Sequence, residues 1–374
     1  MSNERLARLR SELVQAGFGG LVLVPAANLT YISGLFFHHP SRLNLVIIPA
    51  ADAVPCYVIP ALEMSVAQAK SQIPMRYFPW HDSDGPAAAL QAALHAALDD
   101  AARQLPLGIE FTEMKVRDLR AIEAASPAIT TADATALLAS VRMVKADDEI
   151  ANIETAVRMV EAGLQATIAA IRPGMTERQL SQICREAILA QGADDESFAN
   201  IVASGPNGAN PHHQNSDRAF QPGDLIILDC GARYNGYISD ITRTVAFGEP
   251  SAEVRRIYET VQAANAAGRA AVAPGRSGAE IDRATRQVIE AAGYGEYFIH
   301  RTGHGFGMET HELPNIVGGS DTPLKVGTTF TIEPGVYIPG LAGVRIEDDM
   351  VITAEGGRSL TSLPRDLLII PTEA

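Results

Sequence analysis

Two stretches of this chain repeat one another 101 residues apart. Residues 170–192 read AIRPGMTERQLSQICREAILAQG, and residues 271–293 read AVAPGRSGAEIDRATRQVIEAAG. At that constant offset Pro173 matches Pro274, Gly174 matches Gly275, Thr176 matches Ser277, Gln179 matches Glu280, Leu180 matches Ile281 and Gly192 matches Gly293. A Pro-Gly pair stops one helix, and a hydroxyl followed three residues later by Gln or Glu is the capping box that starts the next. Each signal is common alone. Their recurrence in step predicts an internal duplication, with two helix-pair halves related by a pseudo-twofold axis.

The duplication extends to acids in apolar settings. In LIILDCGARYNGYISDITRT, residues 225–244, Asp229 ends a strand-like apolar run and Asp240 lies between Ile238 and Ile241. Asp229-Cys230-Gly231 is echoed 104 residues later by Glu333-Pro334-Gly335, and Asp240 by Glu347 in GVRIEDD. Asn235-Gly236 between two tyrosines is a strong hairpin signal. A two-residue turn there pairs Tyr234 with Tyr237, Gly231 with Asp240 and Asp229 with Thr242. Asp229 and Asp240 then become diagonal neighbours on one face, with Cβ atoms roughly 6–8 Å apart, and Gly231 is expected to leave space between the carboxylates. Four carboxylates converging where water is scarce repel one another. Arg233 and Arg345 are candidates to offset part of that charge, and divalent cations are the expected remainder.

Between the two halves' acids lies HRTGHGFGMETHELP, residues 300–314. Its GxGxG follows no apolar strand and opens no capped helix, so it is not a dinucleotide fingerprint; HELP is not HExxH. Glycines flanking His304 suit a metal ligand, and His311 is a second functional candidate. Four carboxylates and one imidazole form a hard, oxygen-rich set that suits Mn²⁺, Fe²⁺ or Co²⁺, with catalytic Zn²⁺ also compatible. The acids are numerous enough to bridge two ions about 3.5–4 Å apart.

The first 140 residues alternate strand-like runs (21–24, 43–48, 56–59, 107–110) with helical segments, among them the Ala-rich PAAALQAALHAALDDAARQL. That pattern reads as an α/β layer domain. A charged, turn-forming stretch, MVKADDEI, then precedes a long helix with Ile150, Ile153, Val157, Val160, Leu164 and Ile171 on one face. The expected organisation is α+β, with domains at 1–142 and 147–374. A net charge of −14 without a basic block argues against nucleic acid as a partner. No apolar run is long enough to span a membrane. The segment MSNERLARLRSELVQAGF spaces Leu6, Leu9 and Leu13 as an amphipathic helix rather than a signal peptide, so a cytoplasmic location is expected. Cys56, Cys184 and Cys230 lack CxxC spacing, which argues against a disulfide framework or thiolate zinc. By alternation Cys230 faces away from the acids and packs.

These motifs, taken together, resemble the creatinase/methionine-aminopeptidase superfamily with its pita-bread fold, and more narrowly the Xaa-Pro peptidases, prolidase and aminopeptidase P. NLTYISGL near the start resembles that family's creatinase-like N-terminal domain. The resemblance implies a metallopeptidase with two divalent ions, Mn²⁺ or Co²⁺ first and Zn²⁺ or Fe²⁺ next. It makes Asp229 a terminal ligand of one ion, Asp240 and Glu347 bridging ligands, and His304 with Glu333 the ligands completing the other shell. Glu333 is also implied as the proton relay, His212 in ANPHH as a substrate contact aiding proton transfer, His311 as the group steadying the scissile carbonyl, and Arg345 as an organiser of the site. His213 is read as a neighbour only.

The implied substrate is a small peptide with proline second, cleaved by a homodimer. The HELP form favours a dipeptidase over an aminopeptidase P acting on Xaa-Pro-Yaa. A methionine aminopeptidase fits less well, given the large N-terminal domain. A superfamily member acting on a small non-peptide amide or lyase substrate is a further alternative. A binding module without activity predicts a missing ligand, and none is missing.

Overall fold

The structure is a computed structural model that describes residues 2–37 and 41–373. It divides into two compact units at Arg142/Met143. In the first, a six-stranded mixed sheet runs in the spatial order Arg76–Trp80, Cys56–Pro60, Leu45–Pro49, Gly20–Leu23, Leu107–Ile109 and Thr131–Asp133. The four inner strands, which read as apolar runs, are buried along their whole length, as in a sheet covered on both faces. The outer strands, 76–80 and 131–133, are partly exposed and carry no apolar run, so periodicity does not reveal them. The Ala-rich helix is shorter than its composition predicts and spans Ala87–Ala97. Asp99 ends it: its carboxylate accepts the Ala102 amide at 2.8 Å and starts a separate 3₁₀ turn at Ala102–Gln104.

The duplication organises the second unit. Helices Asp147–Ala170 and Glu177–Leu189 form one pair, and Ala252–Ala271 and Gly278–Ala291 the other. Both second helices open with the predicted capping boxes. Thr176 Oγ1 accepts the Gln179 amide while Gln179 Oε1 accepts that of Thr176, and Ser277 with Glu280 does the same. Gly174 and Gly275 have φ of 78° and 82°, the left-handed values that turn the chain from one helix to the next.

Each helix pair covers a sheet. A four-stranded sheet orders Ile369–Ile370, Ile241–Phe247, Asp224–Cys230 and Ile201–Ser204; a five-stranded one orders Glu312–Ile316, Gly303–Gly305, Thr329–Ile332, Asp348–Thr353 and Gly356–Ser359. Val160, Leu164, Leu180 and Ile188 pack on Ile226, Leu228 and Val245 of the first sheet. Ile281 packs on Phe330, Ile332, Met350 and Ile352 of the second.

The hairpin register is the one its turn dictates. Tyr234 pairs with Tyr237 and Thr242 with Asp229, around Asn235 and Gly236 at φ 49° and 81°. This is the primed geometry that matches strand twist. The reason for Gly231 is different from the one expected. A Cβ there would lie 1.9 Å from Ser197 Oγ and 2.1 Å from the Ser239 carbonyl oxygen, so the glycine admits those groups rather than opening room between the acids. The ladder also passes at Gly231 from one sheet to another, in which Ala232–Tyr234 pairs with Asp195–Glu196. That break carries Arg233 away from the carboxylates. Its guanidinium donates to the carbonyls of Met308 and Gly236, at 3.1 and 3.4 Å, so Arg345 alone of the two arginines serves the acids.

Candidate metal centre

All five expected ligands stand at or beside strand ends. Asp229 lies near the end of 224–230 and Glu333 just after 329–332; Asp240 and Glu347 immediately precede 241–247 and 348–353; His304 is the middle residue of 303–305. The two halves thus deliver their acids from equivalent positions. One carboxylate oxygen each from Asp240 and Glu347 and one ring nitrogen of His304 lie within 4.8 Å of one another. His304 Nε2 is also 3.4 Å from Glu333 Oε1 and 3.7 Å from Asp240 Oδ2. Asp229 joins through Arg345, whose Nη2 donates to its Oδ2 at 2.6 Å, while the buried Oδ1 of Asp229 has no partner.

The electrostatics of this cluster are those of a site built around positive charge. Burial pushes the Asp240 carboxyl well up, and the charges of Glu347 and Asp229 add to that. Burial likewise raises Glu347, with Glu333 and Asp229 contributing. Burial lifts Glu333 to about 7, opposed by Arg345 and reinforced by Asp229. His304 is moved to about 3, first by burial and then by His311 and Arg301, so its imidazole is neutral at physiological pH and free to act as a ligand. Its short distances to Asp240 and Glu333 are therefore not ion pairs. An orphaned carboxylate oxygen, acids whose ionised forms are disfavoured by burial and by one another, and a neutral imidazole form a donor set that fits divalent cations.

The surrounding residues hold these groups in place. Arg345 is buried and uses its whole fork: Nη2 on Asp229, Nε on Thr242 Oγ1 at 3.1 Å and Nη1 on the Tyr337 hydroxyl at 2.9 Å. Thr242 in turn donates to Glu347 Oε2 at 2.7 Å. Asp349 Oδ2 accepts the backbone amide of Asp240 at 3.0 Å, tying one half's acid to the other half's strand. Sequence reading singled out neither Thr242, Tyr337 nor Asp349. Strand alternation was the available signal for two of them, since Thr242 and Asp349 lie two residues beyond Asp240 and Glu347 and return to the same face. Asp348, between them, points elsewhere and accepts from Arg243, Arg365, Asn265 and Thr361.

The histidines occupy distinct places. His311 is exposed and sets its ring edge-on to His304 with centroids 4.4 Å apart. His212 is exposed on the segment that leaves Ile201–Ser204. His213 turns inward, with Nε2 2.7 Å from Glu177 Oε2. Cys230 is buried in the core with Cys184, on the opposite strand face from Asp229.

The chain has relatives. Residues 151–354 match the family described as Metallopeptidase family M24, and residues 5–144 match the Creatinase/Prolidase N-terminal domain. The Xaa-Pro dipeptidase of Lactobacillus delbrueckii subsp. lactis is 35% identical over 98% of this chain and 99% of its own. Among solved structures, a dipeptidase from Pyrococcus horikoshii OT3 superposes with a TM-score of 0.90 at 38% identity, covering 98% of this chain and 100% of that one. A recombinant prolidase from Thermococcus sibiricus superposes with a TM-score of 0.92 at 34% identity, covering 99% of each.

Proposed function

The chain belongs to metallopeptidase family M24, and we propose that it is an Xaa-Pro dipeptidase that works with two divalent cations. The observation that carries this reading is the convergence of Asp240, His304 and Glu347 on one point, with Glu333 beside His304 and an unpartnered Asp229 oxygen close by. In this reading Asp240 and Glu347 would serve both ions, Asp229 would complete one set of ligands, and His304 with Glu333 would complete the other. When bound, divalent cations would supply an activated water and polarisation of the scissile carbonyl at these residues.

The chain's own residues do the rest. Glu333 takes the proton of the attacking water and passes it to the leaving nitrogen. A proline nitrogen is a tertiary amide without an N–H, so it must gain that proton to leave. His311 steadies the oxyanion that develops at the carbonyl. His212, on the exposed segment, contacts substrate and assists the proton transfer. Arg345 orients Asp229 by a charge-assisted hydrogen bond. The hard donor set suits Mn²⁺, Fe²⁺ or Co²⁺, with Zn²⁺ also compatible, and the family resemblance places Mn²⁺ or Co²⁺ first. Three free, buried cysteines support a reducing, cytoplasmic setting, and the family resemblance supports a homodimer.

Metal-depleted protein re-supplied with Mn²⁺, Co²⁺ or Zn²⁺ and offered Xaa-Pro, Xaa-Pro-Yaa and Met-Ala-Yaa peptides tests the reading. Turnover of Xaa-Pro above the other two is expected. Faster cleavage of Xaa-Pro-Yaa would make the enzyme an aminopeptidase P. No turnover of any proline peptide with any of the metals would overturn the assignment.

A further inference from the structure

One fully buried carboxylate outside the metal cluster has six hydrogen-bond donors, and all six come from a single segment. Glu177 is the first residue of helix 177–189, and its side chain is 0% exposed. Its Oε1 accepts from the Ser204 amide at 2.8 Å, the Ser204 hydroxyl at 2.7 Å and Asn207 Nδ2 at 3.0 Å. Its Oε2 accepts from the Ser216 amide at 3.0 Å, the Ser216 hydroxyl at 2.6 Å and His213 Nε2 at 2.7 Å. The segment 204–216 is therefore held at both ends and twice between them, by one side chain. An ionised carboxylate offers about four lone-pair sites, so this one is saturated. Burial alone would raise its carboxyl, yet the hydrogen bonds from Ser216, Ser204, Asn207 and His213 hold it at about 2.

Capping the helix does not explain Glu177, because Thr176 and Gln179 already satisfy that end. The duplication makes the same point. The equivalent residue in the other half is Gly278, where a Cβ would lie 2.4 Å from the Asn315 carbonyl oxygen. That half leaves no room for a side chain at this position. It holds its own segment from within, through Glu312, which accepts the amides of Met308 and Glu309 and pairs with Lys145 at 3.0 Å. Each of these segments carries a histidine that the proposed mechanism uses: His212 in the first, and His311, 99 residues later, in the second. The 204–216 segment is fixed on its far side as well, since Gly208 and Gly343 meet backbone to backbone just before Arg345.

We propose that Glu177 is a positioning residue for His212: its carboxylate clamps the 204–216 segment so that anchoring His213 on one side presents the neighbouring His212 imidazole toward His311 and the substrate. The proposal rests on the catalytic reading of His212 given above. Asn210 completes the presentation by accepting the His212 amide on its side chain at 3.1 Å. None of the side-chain partners of Glu177 is one of the five expected metal ligands.

The test is a double-mutant cycle on the cation-loaded full-length enzyme, with kcat, KM, bound metal and melting temperature measured for Glu177→Gln, His212→Ala and the pair. Gln keeps the volume but turns an N–H₂ toward donors that need an acceptor. Misplacing a catalytic group by about 1 Å costs up to about 100-fold, so Glu177→Gln is expected to lower kcat roughly 10- to 100-fold with bound metal unchanged. In the His212→Ala background it is expected to lower kcat no further. Glu177→Asp, which keeps the charge, is expected to recover part of the loss. Wild-type kcat in Glu177→Gln, or an equal loss in both backgrounds, overturns the proposal. Wild-type kcat in His212→Ala overturns the reading of His212 and the proposal with it. If Glu177→Gln does not fold, Ser216→Ala removes one donor pair member, and the same non-additivity with His212→Ala decides.

Discussion

Asp240→Asn is expected to lower kcat/KM by about 10²- to 10³-fold, on the scale of losing a principal electrostatic contribution to the transition state, and to reduce the metal bound per chain. Asp240 lies with His304 and Glu347 at the point where the cluster converges, so its loss affects both proposed ions rather than one. An amide oxygen remains, but the charge that draws a divalent ion into a buried site is gone. The metal-free protein is expected to respond in the opposite direction. Burial and the charges of Glu347 and Asp229 raise the folded Asp240 carboxyl above its unfolded value. A group raised in this way favours folding below an unfolded pKa of about 4 and loses that contribution as pH rises. At pH 8 the metal-free Asn variant is therefore expected to melt at or above metal-free wild type, while in excess Mn²⁺ the wild type melts higher. Calorimetry with and without metal reads both signs. Retention of full metal content and near-normal turnover would remove Asp240 from the shared position.

Arg345→Met is expected to destabilise the metal-free protein by about 3–5 kcal/mol, the usual cost of leaving one member of a buried ion pair without its partner. Arg345 and Asp229 are both buried, and the guanidinium also serves Thr242 and Tyr337, so one substitution removes three hydrogen bonds. For a unit of this size the loss corresponds to a melting point roughly 10 °C lower. Added Mn²⁺ is expected to restore part of the difference, because a cation compensates the Asp229 charge that Arg345 otherwise faces. Arg345→Lys retains charge but not the planar fork, and falls between. A melting curve unchanged without metal would show that the pair contributes little to stability.

The residues that were legible in the sequence are those whose roles are local. Capping boxes, Pro-Gly stops and Asn235-Gly236 act within a few residues, and the structure places each where its chemistry requires. The offset between halves then brought four acids into one frame, because duplicated segments fold alike, and the glycines flanking His304 marked it separately. What escaped depended on contacts distant along the chain. Asp349 supports Asp240 across 109 positions, and Glu177 reaches Ser216 across 39. Neither residue stands out among its neighbours in the sequence. Gly231 was recognised as necessary but for another reason, since the approach of Ser197 and Ser239 is a tertiary event. Arg233, a candidate with Arg345 to offset the acids' charge, serves the Met308 and Gly236 carbonyls instead, because the ladder changes sheets at Gly231. The Ala-rich helix ended early because the Asp99 side chain offered the backbone a competing partner.

The most direct test of a two-cation centre at these residues is the anomalous scattering of Mn²⁺-loaded crystals. Two peaks about 3.5–4 Å apart are expected, both touching Asp240 and Glu347, one beside Asp229 and the other beside His304 and Glu333. A single peak, or manganese bound away from these five side chains, would contradict it.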